Sequence, residues 1–216
     1  MSNKPIYIYR MTHIDNIPHI LKYGITHRNS KNANPHYKAI GDVGLIQKRD
    51  GTIVRVTNGT RVVIEKIRLG EYIPFYFGIR MPMLYVIQKG GNGVEQPTPP
   101  EDIVYVVCST TRIYELGLTF YFSDGHARDA FTIFYNQSRF KDLHKIIDYN
   151  AIKSLFWGGH ENLDKKRRKQ AEFLVKNDIP PECIIGFVCY NEEAKKKLIN
   201  FGIEETKIKV IPNAYF

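Results

Sequence analysis

Glu172 stands inside an apolar run, QAEFLV, directly after five basic residues in the stretch KKRRKQAEFLV at 165–175. The flanking residues read as a strand from Gln170, so the position is either on a solvated edge or aimed at something, because an unpaired buried charge is costly. A lone carboxylate held in a cleft can oppose a developing positive charge and take a proton. The edge-strand glutamate is the plain alternative. Arg10 leaves a first strand, PIYIYR, just before Thr12 and His13, where its planar fork would match a phosphate. Arg80 follows the aromatic run PFYF and precedes Met81, Pro82 and Met83. It either meets a ligand or holds loop carbonyls.

Other chemistries lack their residues. The chain has no GxxxxGK[ST] loop, no GxGxxG after a strand, no HExxH and no GxSxG. Its seven histidines are scattered, without Cys or Asp at a metal-ligand spacing, and no metal is expected. The tetrapeptide SDGH at 123–126 reads as a turn and N-cap that opens a following helix, HARDAFTIFYNQ.

The elements that would position these side chains alternate irregularly. After the first strand, Ile14, Ile17, Ile20 and Leu21 fall at helical spacing and stop at Gly24. Residues 25–70 are basic, rich in Asn, Gly and Thr, and without clear periodicity, which is more often functional than idle. Strands follow at 72–77, in EDIVYVVCS and in GLTFYFSDG, with a helix from Met83. A strand at 184–190 and a helix from Asn191 to Phe201, closed by Gly202, lead to a last strand in KIKVIPNAYF. Without a repeating βα unit the fold class is α+β, and 216 residues fit a single domain.

The net charge is +9, from 31 Lys and Arg against 22 Asp and Glu, and it favours a polyanionic partner. Fourteen Tyr and twelve Phe can fill a core or stack on bases. Three cysteines without a CxxC pair, no apolar leader and no run of transmembrane length lead to a cytoplasmic, reducing location and no membrane contact.

Five segments, in order, carry a family resemblance: YRMTHIDNIPHILKYGI, IQKR, YIPFYFGIRMPMLY, FYFSDGHA and KQAEFLV. Together they resemble the motifs of DarT, the DNA ADP-ribosyltransferase toxins of bacterial toxin–antitoxin systems, from about residue 6 to residue 216. The resemblance implies an ADP-ribosyltransferase-like α+β domain spanning 1–216, a split pair of β-sheets with NAD in the cleft. It implies NAD as co-substrate, single-stranded DNA as acceptor, nicotinamide as product and a cognate antitoxin that is an ADP-ribosyl hydrolase. The enzyme is expected to be a monomer.

On the same resemblance Glu172 becomes the catalytic carboxylate and Arg49 the candidate catalytic arginine, although Asp50 replaces the second arginine of the family's segment. Arg10, Thr12, His13, Asn16, Tyr76, Arg80 and Met83 would contact NAD. Arg10 departs from the histidine common at its position, which favours guanine over thymine as the target. The basic run, Lys165, Lys166, Arg167, Arg168 and Lys169, would carry the DNA backbone in a substrate-facing loop, with Trp157 or Phe156 stacking an exposed base. Two rival readings are a metal-dependent nuclease, with Asp124 beside Glu172, and a non-catalytic nucleic-acid-binding module.

Overall fold

A computed structural model describes residues 5–41, 43–91, 93–94 and 96–216. Residues 1–4, part of the N-terminal segment expected to lack a leader, lie outside it, as do 42, 92 and 95. The strands are β1 (Tyr7–His13), β2 (Ile53–Val56), β3 (Glu65–Arg68), β4 (Tyr72–Tyr76), β5 (Ile103–Ser109), β6 (Phe120–Ser123), β7 (Phe134–Asn136), β8 (Glu172–Lys176), β9 (Ile184–Cys189) and β10 (Ile208–Val210). The helices are α1 (Ile17–Tyr23), α2 (Val43–Gly51), α3 (Pro82–Lys89), α4 (Thr110–Glu115), α5 (Leu143–Ile146), α6 (Tyr149–Lys153), α7 (Leu163–Lys169) and α8 (Glu192–Asn200).

The strands form one chain of neighbours, β10-β9-β5-β1-β4-β8-β6-β7-β2-β3. Its centre is nearly severed. β1 pairs with β5 over its full length, from Tyr7 to His13, and β4 pairs with β8 from Tyr72 to Tyr76. Between β1 and β4 the only register pair among the described residues is Tyr9 with Tyr76. The sheet therefore consists of two halves joined at one residue pair, in keeping with the split α+β architecture expected. Most pairings are antiparallel; β10 with β9 and β2 with β7 are parallel.

Burial follows from the strand sequences. IVYVVCS in β5 is buried at every position because apolar clusters cover both of its faces. Ile8, Phe75, Phe122 and Phe173 build the larger cluster, and Tyr105, Val107 and Val188 the one on the opposite face. Gly24 ends α1 with φ 77°, and a Cβ there would collide with the Ile179 carbonyl. Asn191 caps α8 by accepting from Ala194 N, and Glu192 and Glu193 occupy its first turn.

Three expectations are corrected. HARDAFTIFYNQ is not a helix but a long turn leading into β7, because Asp124 accepts the Ile133 N–H and Asp129 the Phe131 N–H. Short polar side chains that capture local N–H groups in this way compete with a helical ladder. Residues 25–70 hold α2 and the β2–β3 hairpin. The basic run lies on α7, and the strand after it begins at Glu172.

Candidate active site

The single bridge between the sheets also fixes the site. Tyr9 faces Tyr76, and Tyr76 faces Glu172 in the next strand, so three side chains form a row across the seam. Opposite residues in antiparallel pairs share a face, which places the carboxylate beside the Tyr76 ring. Glu172 is 1% exposed. Ala127 N–H donates to its Oε1 at 3.0 Å, and its own N–H donates to Ser123 Oγ at 3.1 Å.

The other oxygen, Oε2, lies 2.7 Å from Arg49 Nη2, brought in by α2. This is an ion-pair distance without hydrogen-bond alignment: Oε2, Nη2 and Arg49 Nε are all buried without a directed partner. Buried polar atoms are rarely left so, and where they are, a ligand is a common reason. Burial raises the Tyr76 phenol above its ordinary pKa, Glu172 adds to the rise, and Arg49 and Arg10 oppose it. The Tyr76 hydroxyl is therefore neutral and senses all three charges. Arg10 reaches across the split and donates from Nη1 to Pro74 O at 3.0 Å.

His126, which the sequence reading left unassigned, belongs to the same neighbourhood. Its imidazole is lowered in pKa, mainly by burial, while Glu172 pulls it up and Arg49 and Arg128 push it down. Ser123 and the Ala127 N–H were missed too. Their signal lay in FYFSDGHA, where a Ser-Asp-Gly turn follows an aromatic strand.

Other expected contacts fall elsewhere. Thr12 and Asn16 are each 1% exposed and spent on each other and on a loop: Asn16 Nδ2 donates to Thr12 Oγ1 at 3.0 Å and to Lys38 O at 2.8 Å. His13 Nδ1 accepts from Asp15 N–H, and burial lowers its pKa. Asn16, braced by Thr12, anchors Asn34 and Lys38 beyond the far end of β1, where Thr12 and His13 lie roughly 10–13 Å along the strand from Tyr9. Arg80 adopts φ 55°, donates its N–H to the Tyr105 hydroxyl and lies 4.5 Å over the Phe216 ring. It lines a cavity of about 1010 Å³ with Tyr7, Tyr9, Phe77, Tyr149 and Lys169. Met83, half-buried in α3, packs with the Tyr105 cluster.

The basic run divides by its helical period. Lys165 and Lys166 are exposed and have no ion pair among the described residues. Arg167 is turned inward, 8% exposed, and bonds Asp124 and Asp164, which corrects its expected place on the DNA. Arg168 is half-exposed and pairs with Asp164 and Asp148. Lys169 is buried against Ile152 O at 2.7 Å, and its pKa is pushed down to about 8, mainly by desolvation. Trp157 packs edge-on against Tyr85 and Phe216, while Phe156 is exposed. Asp124, the carboxylate a nuclease reading would pair with Glu172, has its Oδ1 bonded to Ile133 N–H and to Arg167. Among the described residues no helix is long and apolar enough to cross a membrane.

Comparison with known proteins identifies the family. Residues 9–216 match the family model described as "ssDNA thymidine ADP-ribosyltransferase, DarT". A DNA ADP-ribosyl transferase of Escherichia coli O127:H6 is 34% identical over 88% of this chain and 83% of its own length. A Thermosipho africanus relative, a DNA ADP-ribosyl transferase–DNA ADP-ribosyl glycohydrolase fusion protein, is 28% identical over 97% of this chain and 48% of its own. Thermus sp. 2.9 DarT in complex with ADP-ribosylated ssDNA superposes with a TM-score of 0.81 at 26% identity, covering 98% of this chain and 97% of that one. The same protein in complex with NAD+ gives 0.76 at 25% identity, with each chain fully covered. This chain belongs to the DarT family and is a DNA ADP-ribosyltransferase.

Proposed function

We propose that the enzyme transfers ADP-ribose from NAD to a thymine in single-stranded DNA, with Glu172 as the catalytic carboxylate and Arg49 as its partner. The observation that carries this reading is the buried Arg49–Glu172 contact, whose Oε2, Nη2 and Nε are left without directed hydrogen bonds at the seam of the two sheets. Those atoms fit NAD: a carboxylate oxygen suits a ribose hydroxyl, and a guanidinium suits a pyrophosphate. Arg10, already in the split, is a second cation for the same dinucleotide. Complexes of the Thermus relative with NAD+ and with ADP-ribosylated ssDNA support both substrates.

In the reaction, Glu172 opposes the positive charge that grows at the ribose as nicotinamide departs, and then accepts the imide proton of the attacking base. Arg49 is 18% exposed against 2% for the Glu172 side chain, so the arginine lies nearer the surface than the carboxylate. Lys165 and Lys166 supply the phosphate contacts. The name of the matching family supports thymine. Arg10 in place of histidine favours the second reading, guanine. The glycohydrolase fused to the Thermosipho relative supports a toxin whose antitoxin removes the modification. The reading includes an enzyme that acts as a monomer, in the cytoplasm where a bacterial DNA substrate lies.

The test is incubation with NAD and single-stranded oligonucleotides that each carry one kind of base, followed by mass spectrometry and nicotinamide release. A mass increment of one ADP-ribose on the thymine oligonucleotide is expected. Modification of the guanine oligonucleotide alone would replace thymine with guanine. Strand cleavage that requires a divalent metal would replace transfer with nuclease chemistry.

A further inference from the structure

The basic residue at 167 faces away from the surface that its neighbours present: its Nη1 is engaged by one turn, 124–132, and its Nε by Asp164 on the same helix. Arg167 Nη1 donates to Asp124 Oδ1 at 2.9 Å and lies 3.4 Å from Thr132 Oγ1. Thr132 Oγ1 donates to His126 O at 2.8 Å, and His126 N–H donates to Arg167 O at 2.9 Å. Gly125 has no room for a Cβ against the guanidinium. The 124–132 turn thus wraps both the side chain and the backbone of Arg167. That turn delivers one group to Glu172 and holds a second, Ser123 at the end of β6, through Gly125. Ala127 N–H holds Oε1, and Ser123 Oγ takes the Glu172 N–H while donating to Gly125 O at 2.6 Å.

We infer that Arg167 is a positioning residue: it clamps the 124–132 turn so that Ala127 N–H fixes one oxygen of Glu172 and leaves the other for the reaction. The inference rests on Glu172 being the catalytic carboxylate. A carboxylate with neither oxygen fixed would rotate toward Arg49 and take up the directed pairing that it now lacks. The cost of such a lapse falls on the chemical step, where small misplacements are expensive, and not on binding. Asp124 serves as the other jaw of the clamp, which is why Ile133 N–H and Arg167 converge on the same Oδ1.

Asp124→Asn, Arg167→Lys and Arg167→Ala test this, with the full chain and both substrates. The expected result is a fall in kcat of roughly ten- to a hundredfold for Asp124→Asn and Arg167→Ala, with KM for NAD and for the oligonucleotide unchanged. Arg167→Lys should recover part of the loss by keeping a cation at Asp124. Combining Asp124→Asn with Arg167→Ala should cost no more than either alone, because both open one clamp. If Arg167→Ala does not fold, the nearly isosteric Asp124→Asn decides. Wild-type kcat in Asp124→Asn overturns the inference. So does a raised KM for DNA in Arg167→Ala with a salt dependence shallower by about 0.7, the mark of a lost phosphate contact. Glu172→Gln is run beside them: if it retains transfer, the assignment of the carboxylate fails, whereas if only it is inactive, the clamp alone fails.

Discussion

Arg49 Nη2 stands 2.7 Å from Glu172 Oε2, yet no N–H of the guanidinium is aligned with that oxygen, so the closest charge contact at the carboxylate carries no directed hydrogen bond. Two buried ions held in this way are poorly compensated within the protein itself. Their unused bonding capacity is what a dinucleotide would take up.

Arg49→Ala should therefore harm both stability and chemistry. Removing the cation leaves a carboxylate that is 1% exposed without its counter-charge, at a cost of roughly 3–5 kcal/mol that urea unfolding would register. Transfer should fall on the order of a hundredfold through loss of preorganised positive charge. Wild-type turnover with labelled NAD would show that Arg49 only covers the site.

His126 gives a pH dependence with a definite sign. Burial holds its pKa below the usual 6.5 in the folded protein, so the unfolded chain binds more protons between the two values. Its contribution to stability is full above about pH 6.5 and is lost as pH falls toward and through the folded value. Chemical unfolding at pH 7.5, 6.5 and 5.5 should show a steeper acid loss in the wild type than in His126→Gln. Equal slopes would mean that the imidazole is not buried as described.

Much of this arrangement was legible in the sequence, and what was not has a common cause. Glu172 stood out because its chemistry clashes with the strand around it, and Gly24 and Asn191 marked helix ends by local rules. Arg167 did not stand out, since its partner Asp124 lies 43 residues away and nothing in KKRRK separates an inward arginine from outward lysines. Helical phase decides that, and the segment read as a loop. The long turn before β7 was mistaken for a helix because Asp124 and Asp129 capture N–H groups locally, a choice that apolar spacing does not report. The seam at Tyr9 and Tyr76 is a matter of strand order between distant segments. The family resemblance anticipated a split pair of sheets, not the residues at which they join.

The outward lysines carry the prediction for DNA. Lys165→Ala with Lys166→Ala should weaken binding of a single-stranded oligonucleotide and reduce the log–log salt slope by about 1.4, two phosphate contacts at about 0.7 each. NAD affinity should not change. Fluorescence anisotropy at several salt concentrations reads both quantities, and an unaltered slope would make α7 a solvated face only.

The most direct test is Glu172→Gln, which removes the charge and almost none of the volume. The rate of labelled ADP-ribose transfer to a single-stranded oligonucleotide should drop by roughly a hundredfold or more, while calorimetry finds NAD binding largely retained. Transfer at the wild-type rate in a folded Glu172→Gln protein would contradict the account.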